Sequence, residues 1–215
     1  AMARGFQPAC VLAAGVDLDV FGLLAAKPLS AVEAAEQAAA DPRGMTILLD
    51  ALAALELLRK EQGIYAVPED VARLLASGEP DNVRAMARHM ANCLRRWVEL
   101  PWTVKSGDPP ERRPSLLGEE ADLSSFIEAM DNVSRGVADD LVCALGMDDC
   151  RCVLDVGGGS GTWTLAWLRA VPDARVILFD VPPVVPMARE RFARRGVLDR
   201  VELVPGNYLE DDLPE

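Results

Sequence analysis

The residues best suited to chemistry lie in the segment LDVGGGSGT, which runs from Leu154 to Thr162. An apolar run from Arg151 to Val156 predicts a short buried strand before the glycines, and residues 162–170 predict a helix after them. Glycine accepts positive φ angles and lets a ligand lie directly on the backbone. The first turn of the following helix directs free N–H groups at such a ligand. The segment therefore predicts a binding loop for a nucleotide cofactor.

The spacing of the acid and the glycines distinguishes two kinds of nucleotide cofactor. The dinucleotide fingerprint is G-x-G-x-x-G, whereas this chain has D-x-G-x-G-x-G beginning at Asp155. That order resembles motif I of the methyltransferases that use S-adenosylmethionine (SAM). A second predicted strand, from Ile177, ends in Asp180, where a carboxylate is suited to accept hydrogen bonds from both ribose hydroxyls. A glycine turn that serves only chain reversal is the alternative.

Strands and helices continue to alternate through residues 151–215. The pattern predicts a helix over 184–195 and a third strand over 200–204, and hence a parallel sheet. Ligands of such sheets bind at the carboxyl ends of the strands, so we expect Asp155, Asp180 and Asn207 to meet in one crevice. The arginines of the predicted helix are interpreted as a solvated face, and they are Arg189, Arg191, Arg194 and Arg195.

Residues 1–80 predict a small helical domain. Apolar residues recur at helical spacing from Phe6 to Leu24, and a helix of this kind usually needs a partner surface. A capping-box pattern at Ser30 opens a short helix. Asp41-Pro42 opens a second helix. Its apolar stripe is expected to contain Ile47, Leu48, Leu52, Leu55 and Leu58.

A hairpin and a last helix complete this domain. The two strands are expected on either side of Gln62-Gly63, and the helix from Pro68 to about Ala76. Helix, helix and hairpin in this order are typical of a winged helix, which raises DNA binding as an alternative. The second helix offers few basic groups for phosphate contacts, and the chain carries a net charge of −12. We therefore expect no nucleic-acid partner.

Composition excludes further classes of protein. A chain of 215 residues with 50% hydrophobic residues can bury a sizeable core. Asp17 and Asp19 interrupt the apolar run from Cys10 to Ala26, and a spanning helix does not tolerate such a pair cheaply. Without a signal-peptide pattern, we expect a cytoplasmic protein with no membrane partner. Five cysteines without C-x-x-C spacing and a single histidine, His89, predict free thiols and no metal site.

Residues 81–150 predict a helical connector made of two long helices, Arg84 to Val104 and Ser124 to Leu145. Large apolar side chains on them either pack in a core or form a pocket for a flat aromatic substrate, since methionine adapts its shape. His89 is interpreted as a hydrogen-bonded helix residue, because no acid or nucleophile motif stands near it. The candidate pocket residues are Met86, Met90, Trp97, Phe126 and Met130, with Trp102 as a further large apolar residue.

The order of these features resembles the O-methyltransferase family that includes plant caffeate and flavonoid enzymes and bacterial polyketide-tailoring enzymes. The resemblance covers nearly the whole chain. It implies an α/β protein: an all-α, winged-helix-like dimerisation domain, followed by the first half of a Rossmann-like SAM-binding domain. It also implies a homodimer. The matching segments are Ala9–Leu24, Leu48–Leu52, Tyr65, Trp97–Leu100, Phe126–Met130, Leu154–Gly161, Asp180–Pro182 and Arg200–Tyr208.

The resemblance also implies roles for the residues of the loop and the strand ends. Asp180 binds the ribose. Asn207 stands where the family usually has an acid that accepts a hydrogen bond from the adenine amino group, and an asparagine oxygen can accept the same bond. Tyr208 packs either on the adenine ring or in the core. The residues implied to lie against the methionine part of SAM are Gly157, Gly158 and Gly159.

Family members continue past the third strand, and the histidine that acts as base on the substrate hydroxyl lies in that later part. No residue up to Glu215 matches that base, and we do not transfer its role to His89, so no catalytic residue is predicted. We expect that a C-terminal portion exists beyond this sequence, with a deliberate fragment as the alternative.

The predicted function is transfer of a methyl group from SAM to an oxygen of a small aromatic molecule, with S-adenosylhomocysteine as product and no metal. The protein would align the acceptor, remove water and deprotonate the hydroxyl. Two alternatives remain. One is a non-catalytic dimeric scaffold or regulator that binds SAM or its product. The other is an NAD-linked oxidoreductase, which the glycine spacing disfavours.

Overall fold

The computed structural model describes residues 4–76, 81–109, 111–146 and 149–214. These residues form two compact units, one up to Phe126 and a second from Ile127 onward. The division falls inside the helix Glu119–Ser134. The segments 1–80, 81–150 and 151–215 remain predictions of the domain boundaries, and the boundary at residue 80 lies outside the described residues.

The first unit is mainly helical, with one small sheet. Its three strands, β1 (Leu29–Ser30), β2 (Arg59–Glu61) and β3 (Ile64–Ala66), are antiparallel in the order β1-β3-β2, as expected for a winged-helix-like arrangement. The elements are α1 (Phe6–Asp17), α2 (Val20–Ala26), β1 (Leu29–Ser30), α3 (Ala31–Gln37), α4 (Pro42–Ala54), β2 (Arg59–Glu61), β3 (Ile64–Ala66), α5 (Glu69–Leu75), α6 (Arg84–Trp97), α7 (Leu100–Ser106) and the start of α8 (Glu119–Ser134).

The predicted starts of α3 and α4 are confirmed by their caps. Ser30 donates its N–H to Glu33 Oε2 at 2.8 Å, and its hydroxyl accepts from the Glu33 N–H, which completes the capping box. Asp41 Oδ1 accepts the Gly44 N–H at 2.7 Å. Pro42 follows at the first helical position, where a missing N–H does no harm. Both helices thus satisfy N–H groups that have no partner within the helix.

The predicted hairpin is confirmed, and it is bound to α4. Gln62 and Gly63 have φ angles of +49° and +82°, as a two-residue hairpin turn requires. Tyr65 of β3 is buried and donates its hydroxyl to Asp50 Oδ1 at 2.7 Å. Lys60 of β2 donates to the same oxygen at 2.5 Å. One carboxylate of α4 therefore holds both strands of the hairpin.

The predicted apolar stripe of α4 is partly wrong. Met45, Leu49 and Leu52 are buried, and their spacing of four and three residues places them on one face of the helix. Ile47 is 61% exposed and Leu55 is also exposed, because both lie off that face. The buried face of α4 therefore consists of Met45, Leu49 and Leu52, of which only Leu52 belongs to the predicted stripe.

Helices predicted as continuous are interrupted. Asp19, at φ +51°, separates α1 from α2, and the pair is bent by 58°. The predicted helix 84–104 is divided into α6 and α7, since Pro101 in the first turn of α7 has no N–H to continue the ladder. The predicted helix 124–145 consists of α8, which begins at Glu119, and α9 (Ala138–Ala144). Gly136, a poor helix former, lies between them.

Within the described ranges, no single helix is long and apolar enough to cross a membrane, and α1 and α2 meet that criterion only when the bent pair is taken together.

The two acids of the apolar N-terminal run are bound to arginines of α6. Asp17 is buried and forms an ion pair with Arg95. Burial raises the pKa of Asp17, and the Arg95 guanidinium opposes that rise. Asp19 Oδ1 accepts from Arg84 at 3.0 Å. These ion pairs fix α6 against the turn between α1 and α2.

The second unit is an α/β domain, as predicted. Its three strands, β4 (Cys152–Val156), β5 (Arg175–Asp180) and β6 (Val201–Pro205), are parallel in the order β4-β5-β6, with Leu154 opposite Ile177 and Ile177 opposite Glu202. Leu178 of β5 and Phe192 of α11 (Val185–Arg195) are fully buried in its core, and burying a side chain of this size contributes about 1.5–3 kcal/mol. The elements after α9 are β4 (Cys152–Val156), α10 (Thr162–Ala170), β5 (Arg175–Asp180), α11 (Val185–Arg195), a short 3-10 helix (Leu198–Arg200) and β6 (Val201–Pro205).

Candidate functional site

The glycine loop, residues 157–161, joins the carboxyl end of β4 to the start of α10. Gly157, Gly159 and Gly161 have φ angles of +70°, +57° and +80°, which lie in the left-handed region. Gly157 donates its N–H to the Phe179 carbonyl at 2.8 Å, and Gly161 donates to the Gly158 carbonyl at 2.8 Å. The loop is therefore closed by its own backbone and bound to the end of β5.

Two glycines of the loop leave no room for a side chain. A Cβ on Gly158 would lie 2.7 Å from the side chain of Leu178 and 2.9 Å from Asp155 Cγ. A Cβ on Gly161 would overlap the ring of Phe192. The first contact brings the loop close to the sheet, and the second brings α10 and α11 close together. Part of the glycine spacing thus serves packing.

Asp180 lies at the carboxyl end of β5 and holds the loop. Its Oδ2 accepts the Gly159 N–H at 2.8 Å, and its Oδ1 accepts the Val181 N–H at 2.7 Å. A carboxylate has about four lone-pair sites, so both oxygens keep one for a further donor. The predicted ribose-binding residue therefore already touches the predicted cofactor loop.

Asp155 faces α10. Its Oδ2 accepts the Thr164 hydroxyl at 2.6 Å. Burial raises the pKa of Asp155, the Thr164 hydrogen bonds oppose that rise, and the nearby Asp180 adds to it. Asp155 and Thr164 also border an apolar cavity of about 380 Å³ beside Trp163 and Trp167. Within the structure, Asp155 thus joins β4 to α10, and its predicted contact with the cofactor remains a prediction.

Asn207 and Tyr208 follow the carboxyl end of β6. The Gly206 N–H donates to the Asp180 carbonyl at 2.9 Å, so this end of β6 adjoins that of β5. Asn207 Oδ1 accepts the Leu209 N–H at 3.1 Å, and the Asn207 N–H donates to Asp211. Tyr208 is 61% exposed, so it does not pack in the core formed by the described residues. Contact of either residue with adenine remains a prediction.

Arg191 lies beside the glycine loop. Its predicted position on a solvated face of the helix is wrong. Its side chain is only 21% exposed. It donates to Ser160 Oγ at 2.6 Å, to Thr162 Oγ1 at 3.0 Å and to Asp131 Oδ1 at 2.7 Å. The Thr162 hydroxyl donates to the same Asp131 oxygen at 2.5 Å. Arg191 and Asp131 thus connect α11 and α8 to the glycine loop, and no local pattern in the sequence indicates this.

Three of the predicted pocket residues border two different cavities of the first unit. Met90 and Trp97 border a cavity of about 350 Å³ between α1 and α6, and they are 56% and 69% exposed. Phe126 borders another cavity, of about 170 Å³. Met86 and Met130 belong to neither lining. The role of these five residues in binding an acceptor remains a prediction.

The interpretation of His89 as a hydrogen-bonded helix residue is confirmed. Its Nε2 lies 3.5 Å from Cys93 Sγ on the same helix, and its ring centroid lies 5.2 Å from that of Phe126. All five cysteines are free thiols. In the part of the chain that the structure describes, no three His, Cys, Asp or Glu side chains are grouped to hold a metal ion.

The second unit has a strand, a glycine loop and a helix, and the acid of the neighbouring parallel strand is bound to the loop. This arrangement defines a Rossmann-like domain. Comparison with known families is consistent with this class. Residues 116–215 match the O-methyltransferase domain, and residues 2–78 match the O-methyltransferase dimerisation domain. The chain belongs to the O-methyltransferase family.

Similar proteins carry related names. The chain is 33% identical to the tetracenomycin polyketide synthesis 8-O-methyltransferase TcmO of Streptomyces glaucescens, over 99% of this chain and 65% of that protein. It is 29% identical to the acetylserotonin O-methyltransferase of Rattus norvegicus, over 99% of this chain and 52% of that protein. The chain therefore spans between about half and two thirds of the length of these relatives.

Solved structures share the fold. PigF, solved with S-adenosylhomocysteine, superposes with a TM-score of 0.81 at 25% identity, covering 100% of this chain and 67% of PigF. Human N-acetylserotonin methyltransferase, solved in complex with SAM, superposes with a TM-score of 0.73 at 26% identity. That match covers 100% of this chain and 66% of the human protein. The predicted fold class is confirmed.

Proposed function

We propose that the protein transfers a methyl group from SAM to an oxygen of a small aromatic molecule and releases S-adenosylhomocysteine. The observation that carries the proposal is the contact between Asp180 and the Gly159 N–H, because it joins a ribose-type acceptor to a glycine loop with methyltransferase spacing. The names of the related methyltransferases support the same reaction. A cytoplasmic location and a homodimer belong to the proposal.

The residues present fit SAM. Asp180 would accept hydrogen bonds from the ribose hydroxyls through its two remaining lone-pair sites. Asn207 Oδ1 accepts one N–H, from Leu209, so it has a second lone pair for an adenine amino group. Because Gly158 has no side chain, the loop lies close to the sheet. The loop backbone would then contact the methionine part of SAM.

SAM supplies a methyl group already activated on its sulfonium sulfur. The work left to the protein is therefore to hold the acceptor oxygen in line, exclude water and remove the hydroxyl proton. The glycine loop and Asp180 contribute by fixing the cofactor. We assign no base among the residues that the structure describes. No metal is needed for this reaction scheme.

The test of the cofactor assignment is the affinity for SAM measured by isothermal titration calorimetry. Asp180→Ala removes the predicted ribose acceptor, and a charge-assisted hydrogen bond contributes about 1.5–3 kcal/mol, so we expect at least about tenfold weaker binding. Asp180→Asn keeps one oxygen for the loop and should weaken binding less. Asp173→Ala, an exposed acid of the same unit, is the matched control and should bind as the wild type does.

Three outcomes would contradict the proposal. Wild-type affinity in Asp180→Ala would mean that the ribose assignment is wrong. Binding of NADH in competition with SAM would favour the oxidoreductase alternative instead. If SAM binds but no methyl group is transferred to any aromatic hydroxyl by the full-length protein, the non-catalytic scaffold becomes the better account.

The proposed homodimer is supported by the match of residues 2–78 to a dimerisation domain and by exposed apolar side chains of the first unit. Ile47, Met90 and Trp97 are each more than half exposed, and such surfaces mark interaction sites. Sedimentation velocity at several concentrations tests the assembly, and a single monomeric species at all of them would contradict it.

A further inference from the structure

A small cavity with a mixed polar and apolar lining lies in the first unit, between α6, the chain that follows α7, and α8. Its volume is about 170 Å³, less than the 300–1,000 Å³ typical of pockets for drug-sized ligands. Arg96 of α6 and the neighbouring pair Arg112 and Arg113 line it. Three guanidinium groups around one cavity are unusual in a chain of net charge −12.

Within the described ranges, these three arginines outnumber the one acid of the lining, Asp122, whose charge interacts with Arg112 without a direct ion pair. None of them forms an ion pair there within 4.0 Å. Asp122 is the acid in the lining, and it is buried. Its Oδ2 accepts the Ser115 N–H at 2.8 Å, and its Oδ1 accepts the Ser115 hydroxyl at 2.5 Å. The carboxylate therefore fixes the loop, and the cavity keeps an excess of positive charge.

The remaining wall is flat and aromatic. The rings of His89 and Phe126 lie with their centroids 5.2 Å apart and their planes at 49°. Burial lowers the pKa of His89, and the charges of Arg112 and Arg96 lower it further. His89 is thus neutral near pH 7, and the cavity combines arginines on one side with uncharged rings on the other.

We propose that this cavity binds the carboxylate of a one-ring aromatic acid, with the carboxylate on Arg96 and Arg112 and the ring against Phe126. Guanidinium groups recognise carboxylates through paired hydrogen bonds. The cavity volume suits one ring and its acid group. Binding of the carboxylate does not require SAM, so the inference stands apart from the proposed function.

The chain has one histidine, and its position in the cavity provides a direct readout. In tag-free protein, the His89 Hε1 NMR signal is followed during titration with benzoate, and then with benzamide, which has the same shape but no charge. We expect benzoate to shift the signal in a saturable way and benzamide not to do so. A bound carboxylate should also raise the pKa of His89, because it offsets the arginine charges.

Variants assign the binding to named side chains. Arg96→Gln and Arg112→Gln should each weaken benzoate binding about tenfold, since each removes a charge-assisted hydrogen bond. Arg43→Gln is the matched control, because Arg43 is an exposed arginine of the same unit on α4, and it should leave the affinity unchanged. Arg96→Lys keeps the charge without the paired geometry and should fall between wild type and Arg96→Gln.

Three results would overturn the inference: equal binding of benzoate and benzamide, unchanged affinity in both glutamine variants, or sulfate binding as tightly as benzoate, which would indicate a site for a bare anion. The SAM titration is run on the same samples. Benzoate binding without SAM binding would refute the proposed function and leave this site standing. SAM binding without benzoate binding would overturn the benzoate site and leave the proposed function standing.

Discussion

Replacing Gly161 with alanine tests how the glycine loop holds the second unit together. Gly161 has φ +80°, and a residue with a side chain loses about 1–2 kcal/mol in that conformation. The new Cβ would also overlap the ring of Phe192, which is fully buried, and overpacking a core costs about 1–3 kcal/mol. We expect a total loss of about 2–5 kcal/mol, against the roughly 5–15 kcal/mol that stabilise a typical domain.

Gly196→Ala separates the two contributions. Gly196 ends α11 with φ +65°, and a Cβ there would meet no atom within 4 Å. This variant should lose only the backbone contribution of about 1–2 kcal/mol. Native-state hydrogen exchange of the β5 amides measures the free energy of opening of the second unit by itself, which avoids assuming that both units unfold together.

The comparison has clear refuting results. Equal losses in Gly161→Ala and Gly196→Ala would mean that Phe192 yields without penalty and that the close packing of α10 on α11 contributes nothing. A loss under about 1 kcal/mol in Gly161→Ala would also contradict the backbone argument. The first result would leave only the left-handed backbone as a reason for Gly161, and the second would remove that reason as well.

Two further predictions concern the acid and the arginine beside the loop. Burial raises the pKa of Asp155 above its unfolded value, so its contribution to stability is fully present below that unfolded value and is lost as the pH rises through the folded pKa. Asp155→Asn should therefore flatten the fall in unfolding free energy as the pH rises above about 4, measured by urea unfolding, and an unchanged slope would contradict the assignment. Arg191→Gln removes the bonds to Asp131 and Ser160, so amide exchange of the glycine loop should accelerate by at least about tenfold. Arg189→Gln, an exposed arginine of the same helix, should leave that exchange rate unchanged.

The α/β part of the fold was predictable because its signals are local. The predicted helix 162–170 matches α10 at both ends, and the predicted strands agree with β4, β5 and β6 to within two residues. The glycine turn, the apolar runs and the acids at the ends of β4 and β5 are contained in short windows of sequence. The caps at Ser30 and Asp41 were predictable for the same reason.

The side-chain network of the site was not predictable, because its partners are far apart in the chain. Arg191 and Asp131 are separated by 60 residues, and a run of arginines on one helix gives no sign of which member turns inward. The breaks within the long helices were missed where periodic apolar residues continue across Pro101 and Gly136. In these cases the missing N–H of proline and the low helix propensity of glycine end the helix, although the apolar pattern continues.

The closed form of the glycine loop has a consequence for the rate of ligand association. Three backbone N–H groups of the loop, at Gly157, Gly159 and Gly161, already have acceptors within the protein. A ligand that enters therefore meets a surface of fixed shape and does not have to order a mobile segment, which saves the conformational entropy that such ordering would consume. Binding is then a single docking step, and its observed rate should increase linearly with ligand concentration, without the plateau that a slow rearrangement of the loop would impose.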